Sequence, residues 1–146
     1  MIGLMVRFER HKYFTKEFME ENFGVEHIKA FGCEIQAGGY PDTCEGRIAK
    51  KLPYKEWVEI NKSVRCHQNY KEWYLTTLVI VMITGIFAPL IAALTNIAVI
   101  IGRFFYTFGY KISPEYRIAG AILHEIPVGL CLLYTLFSAG RIIIGF

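Results

Sequence analysis

An arginine, an asparagine and a glutamate stand at i, i+4 and i+7 in Arg65-Cys66-His67-Gln68-Asn69-Tyr70-Lys71-Glu72, just before thirty residues, Trp73 to Gly102, without a charged side chain. On a helix this spacing puts the three on one face. The uncharged segment is long enough to enter a bilayer, which takes about 20 apolar residues per span. Ionisable groups at its mouth are expensive, roughly 2.5–3.5 kcal/mol each at mid-membrane and less near the interface. A cation, an amide and a carboxylate held there together suit an anionic or zwitterionic ligand between helices.

A second phrase, Arg103-Phe104-Phe105-Tyr106-Thr107-Phe108-Gly109-Tyr110, places Arg103, Tyr106 and Tyr110 at i, i+3 and i+7, a row of donors on one face. Arg117 opens the next helix at almost the same depth. Taken singly, snorkelling arginines and interfacial tyrosines explain each of these residues. Converging from three helices at one level, they read as a ligand site. His124-Glu125-Ile126-Pro127 is not H-E-x-x-H and reads as structural or interfacial. Its Glu125, expected to be buried, would pair with Arg103 or face a subunit interface, and Pro127 would kink the helix.

The elements that must position these groups follow from punctuation. Thr15 to about Ala30 has a weak helical pattern, Gly38-Gly39-Tyr40-Pro41-Asp42 is a turn by composition, and Pro53 ends another before a helical pattern over Tyr54–Lys62. A first span is expected from about Ser63 to Phe87. Pro89 starts a second, to Tyr110, because proline disfavours helix in the preceding residue and fits a first turn. Ser113, Pro114 and Glu115 read as N-cap, N1 and N2 of a third, to Phe146. The expected fold is thus an all-α integral membrane bundle, with a polar N-terminal region at 1–62 and a transmembrane helical domain at 63–146.

Composition agrees. Residues 1–72 hold 12 of the 16 Lys/Arg and 11 of the 13 Asp/Glu of this 146-residue chain. The Pro89 connection has no Lys or Arg, whereas the N-terminal half and the Lys111–Arg117 connection are basic, which puts both on the cytosolic side. Net charge is +3, and no basic run interleaved with aromatics points to nucleic acid. Among the four cysteines only Cys33 and Cys44 could pair, and free thiols are the expectation. No C-x-x-C or H-x-x-x-H spacing suggests a metal. Met1–Val6 is too short for a signal peptide or a span.

Arg65-x-x-x-Asn69-x-x-Glu72-x-Tyr74, followed by Gly102-Arg103-x-x-Tyr106-x-x-Gly109-Tyr110 and then Arg117, resembles the membrane-associated proteins in eicosanoid and glutathione metabolism, the MAPEG family. The likeness covers about residues 63–146, and Gln68-Asn69 after His67 leans toward the microsomal glutathione transferases. It implies a membrane glutathione S-transferase that conjugates glutathione to lipophilic electrophiles, with lipid-hydroperoxide peroxidase or leukotriene C4 synthase-like activity as variants. It further implies a homotrimer of four-helix subunits in the endoplasmic reticulum or another intracellular membrane, the active site facing the cytosol.

The resemblance also assigns residues. Arg65, Gln68, Asn69, Glu72, Arg103, Tyr106 and Tyr110 would hold glutathione, the co-substrate, with no metal. Arg117 would stabilise its thiolate as the catalytic residue. Glu9-Arg10-His11-Lys12-Tyr13 resembles the basic end of the family's first helix and places Arg10 near a glutathione carboxylate. The rest of that helix has no counterpart before Arg10, so a four-helix bundle with its first helix largely missing and three full spans is expected, its trimer weakened by the loss.

The chemistry is physically coherent. A thiol of pKa about 8.5 is mostly protonated at neutral pH. Lowering it by roughly two units takes about 2.7 kcal/mol of thiolate stabilisation, the order of energy one arginine supplies in a partly dehydrated site. The competing readings are a non-catalytic relative that binds or presents a lipid, as the 5-lipoxygenase-activating protein does in this family, and a structural membrane subunit with no ligand.

Overall fold

The computed structural model describes residues 2–145, so Met1 and Phe146, the ends of the two expected regions, lie outside the described residues. Within them every regular element is helical: α1 (Ile2–Tyr13), α2 (Lys16–Phe31), α3 (Tyr54–Phe87), α4 (Pro89–Ile112) and α5 (Arg117–Ile144), with short 3-10 turns at Ala49–Lys51 and Pro114–Tyr116. The chain divides into two compact units, Met1–His67 and Gln68–Phe146, with the boundary inside α3. The pattern at Tyr54–Lys62 and the span expected from Ser63 are one uninterrupted helix of 34 residues. Polarity changes along it, but no proline falls between Pro53 and Pro89, so nothing stops the backbone.

In the N-terminal unit, α2 starts where Thr15 caps it, its hydroxyl accepting from the Phe18 N–H at 3.2 Å. It stops at Gly32, whose left-handed φ of 70° lets its N–H reach the Ile28 carbonyl. Phe14, Met19, Phe23, Leu52, Ile60 and Val64 build a common core with Cys44 and Ala49. Two polar devices hold the long loop over it. Asp42 accepts four main-chain N–H groups, those of Cys44 and Gly46 on Oδ1 and of Ile48 and Ala49 on Oδ2, at 2.7–2.9 Å. Arg10 donates to the carbonyls of Gly38 (2.9 Å), Gly39 (2.8 Å) and Asp42, and to Cys44 Sγ at 3.6 Å. Gly39 cannot be replaced cheaply: its φ is 63° and a Cβ there would strike the Phe14 ring.

In the C-terminal unit the break falls at Ala88, and α4 begins with Pro89 at its first turn. Ser113 has the extended backbone of a cap but its side chain caps nothing, because Pro114–Tyr116 forms a 3-10 turn before α5 begins at Arg117. α5 continues through Pro127. α4 and α5 touch through glycine. A Cβ on Gly102 would lie 2.8 Å from the His124 nitrogen and 2.9 Å from the Gly120 carbonyl oxygen, and one on Gly120 would run into the main chain of Tyr106. Such close backbone approach is how helices associate where lipid removes the hydrophobic drive.

Hydroxyls stitch α5 to both α3 and α4. Thr84 Oγ1 meets Thr135 Oγ1 at 2.8 Å, and Thr95 Oγ1 meets Cys131 Sγ at 3.0 Å, all four residues buried. The outer surface is apolar, with Leu90, Ile97, Ile100, Leu130, Leu133 and Phe137 all more than half exposed. Two stretches, Pro89–Ile112 and Pro114–Ile144, are long and apolar enough to cross a membrane, against the three full spans expected. The uncharged part of α3, Trp73–Phe87, has 15 residues, about 22 Å at 1.5 Å each, short of a hydrocarbon core of about 30 Å.

Two stability predictions follow from these contacts. Gly120→Ala should destabilise the C-terminal unit by about 2 kcal/mol through overpacking, while Gly129→Ala, where a Cβ meets nothing within 4 Å, should not. Thermal melts in detergent check the pair. Burial alone would raise the Asp42 carboxyl, but its main-chain donors outweigh that and hold it below its ordinary value. A depressed carboxyl stabilises the fold above its unfolded pKa of about 3.9, and that contribution disappears as pH falls through the lower folded value. Asp42→Asn should therefore melt earlier at neutral pH, by about 2 kcal/mol. The gap to wild type should close in acid, as read by Trp57 fluorescence in a Trp73→Phe background.

Candidate functional site

The helix α3 carries Arg65, Asn69 and Glu72 without interruption, so the i, i+4, i+7 stripe exists as one helical surface. Arg65 and Glu72 are exposed, Gln68 and Asn69 half-buried. Arg65 belongs to the N-terminal unit and the other three to the C-terminal one. No described residue forms a salt bridge with Glu72.

Within the C-terminal unit, five of the expected residues form a connected set. Arg103 Nη1 donates to Asn69 Oδ1 at 2.6 Å, tying α4 to α3. The same guanidinium lies 5.8 Å from the Tyr70 ring centroid and 5.9 Å from that of Tyr106, within cation–π range. Tyr106 stacks on Tyr110 with centroids 5.9 Å apart and planes 25° from parallel. The Arg117 guanidinium then lies 5.2 Å from the Tyr110 ring. Asn69, Arg103, Tyr106, Tyr110 and Arg117 thus form an unbroken run of amide, cation, ring, ring, cation. Tyr106 is buried and Arg117 exposed, so the run goes from the interior to the surface.

The remaining expected residue, Arg10, belongs to the N-terminal unit, where its donors meet the loop carbonyls of Gly38, Gly39 and Asp42. That unit also holds Cys33, Cys44 and Cys66, and among the described residues no cysteine forms a disulfide. Burial pushes the Cys44 thiol above its ordinary value in spite of the nearby Arg10.

Of the two readings of Glu125, buried partner of Arg103 or interface residue, the first is overturned. Glu125 is exposed, and the α5 residue that meets Arg103 is its neighbour His124, buried to 3% exposure, with Nε2 3.4 Å from Arg103 Nη2. The reason is helical phase. Gly120 and His124 are four residues apart on the stripe that faces α4, and Glu125 is turned about 100° away. Thr77 Oγ1, 3.3 Å from the same Nε2, and Trp73, edge-on to the imidazole at 5.6 Å, complete the surround. Sequence reasoning passed over Thr77 and Tyr70. The signal that could have found them is spacing, since Tyr70, Trp73 and Thr77 lie at i, i+3 and i+7 beside the polar stripe.

An exposed cation beside an aromatic ring, a free carboxylate and an oriented amide can bind a small zwitterion and stabilise an anion on it. Comparison with known proteins gives the setting. No curated protein and no solved structure matches the chain. The MAPEG family matches it over residues 27–141, from the last turns of α2 to near the end of α5, well over half of the chain. Together with two helices able to cross a membrane, this makes it an integral membrane protein, and the chain belongs to the MAPEG family.

Proposed function

We propose that this chain is a membrane glutathione S-transferase that joins the thiolate of glutathione to lipophilic electrophiles, with reduction of lipid hydroperoxides as a second use of the same site. The family includes glutathione transferases and related enzymes as well as members without catalysis. The observation that carries the catalytic reading is the connected run from Asn69 to Arg117, which ends in an exposed guanidinium held over Tyr110.

Residues and ligand fit chemically. Glutathione has two carboxylates, one amine and one thiol. Glu72 is an acceptor for the amine, and Arg65, Gln68 and Asn69 offer donors to carboxylate oxygens. The phenols of Tyr106 and Tyr110 line the way to Arg117. Arg103 contributes from inside, through Asn69. The donors of Arg10 are taken up by the loop carbonyls of its own unit, so the role that the resemblance gives it is not used in this reading. Arg117 stabilises the anion left when the thiol releases its proton to solvent. The sulfur then attacks the electrophilic carbon, forming a C–S bond as the leaving group departs with its electron pair. The outer faces of α4 and α5 are apolar, so a second substrate dissolved in lipid can approach laterally.

The same reading assigns α3 as a third span. Counted from Gln68, it supplies 20 residues to Phe87, about 30 Å, which sets Asn69 and Glu72 in the first turns near the headgroups. On this reading the basic Lys111–Arg117 connection faces the cytosol, in keeping with the positive-inside rule. A trimer, as the resemblance implies, would close the site from a neighbour.

Arg117→Ala should lower the conjugation rate at saturating glutathione by about 10²-fold or more, with the dissociation constant changed only a few-fold. Unchanged turnover with an aromatic halide would remove Arg117 from the chemistry. Asn69→Ala and Glu72→Ala should each weaken glutathione binding by roughly 1.5–3 kcal/mol in calorimetry. Wild-type affinity in both would contradict the assigned pocket. Wild-type glutathione binding with no turnover of any electrophile would favour the lipid-presenting reading.

A further inference from the structure

We propose that His124 is a positioning residue for ligand binding, acting through Arg103 to fix which way the Asn69 amide faces. The proposal rests on the functional reading above for its ligand, but its geometry stands alone. Arginine has donors and no acceptor, so where Arg103 Nη2 meets His124 Nε2 at 3.4 Å the imidazole nitrogen must accept. That fixes the tautomer: Nε2 carries no proton. Thr77 Oγ1, 3.3 Å from the same nitrogen, donates to it as well. The ring cannot turn easily, being 3% exposed and set edge-on against Trp73.

Held from behind in this way, the guanidinium directs its other amino group, Nη1, onto Asn69 Oδ1 at 2.6 Å. An amide whose oxygen is engaged presents its two N–H donors on the opposite side. Asn69 therefore turns its donors away from Arg103, which suits a carboxylate or carbonyl oxygen of a peptide-like ligand. Without the His124 acceptor, Arg103 has one fewer partner, its Nη1 is held less firmly on Asn69 Oδ1, and the direction of the Asn69 donors is less fixed. The effect is on ligand affinity. The thiolate is stabilised elsewhere, so the maximal rate is not touched.

The test uses the full chain in detergent. His124→Phe keeps a flat ring and removes the acceptor, whereas His124→Gln places an amide oxygen near the Nε2 position. Phe should raise the glutathione dissociation constant about tenfold with the rate at saturation retained, and Gln should restore binding to within about twofold. Because the effect passes through Asn69, His124→Phe should add little to Asn69→Ala in the double variant. Equal losses in Phe and Gln, full additivity, or wild-type affinity in the Phe variant would each overturn the proposal. Nitrogen-15 spectra of the histidine-labelled wild type supply an arm that needs no ligand and no variant. An accepting, unprotonated Nε2 on His124 is expected, and a protonated one refutes the relay. If the wild type binds no glutathione, the functional reading fails by itself and the nitrogen-15 result still decides the relay.

Discussion

A cation that leaves water for the space between three helices must find acceptors there, and Arg103 organises the C-terminal unit by that requirement. An unpaired guanidinium in such surroundings costs several kcal/mol. Its partners come from each flanking helix: the Asn69 oxygen on α3 and the His124 nitrogen on α5, with the faces of Tyr70 and Tyr106 at cation–π distance. Each partner is thereby fixed in orientation. The residues proposed to face the ligand inherit that order, because Asn69 is held directly and Tyr106 continues through Tyr110 to Arg117.

This arrangement needs α4 and α5 to approach closely, which only glycine allows. Gly102 precedes Arg103, and Gly120 is one turn before His124, so the residues that permit contact lie beside those that use it. The buried threonines continue the same logic further along the bundle. Thr84 with Thr135 and Thr95 with Cys131 satisfy one another where water is scarce.

Much of this was legible in the residues. Thr15, Pro89 and Pro114 mark helix boundaries by backbone chemistry, and helices begin or end within a few residues of each. The change of composition at residue 62 leaves no mark on the backbone, because a helix can pass from one solvent preference to another without breaking. The partner of Arg103 was missed because charge complementarity favoured Glu125. Phase decides instead: Gly120, His124, Val128, Cys131 and Thr135 form one buried stripe at helical spacing, and Glu125 is off it. The short N-terminal loop network around Asp42 was invisible to pattern, since four main-chain donors on one carboxylate leave no side-chain signature.

In the proposed function the run ending in Arg117 turns a bound thiol into a thiolate. Ultraviolet difference absorbance on adding glutathione to the purified protein in detergent, near neutral pH, measures that species directly. The account predicts a thiolate band that saturates with glutathione, is lost on mild acidification, and is abolished in Arg117→Ala while calorimetric binding persists. Saturable binding of glutathione without a thiolate band in the wild type would contradict it.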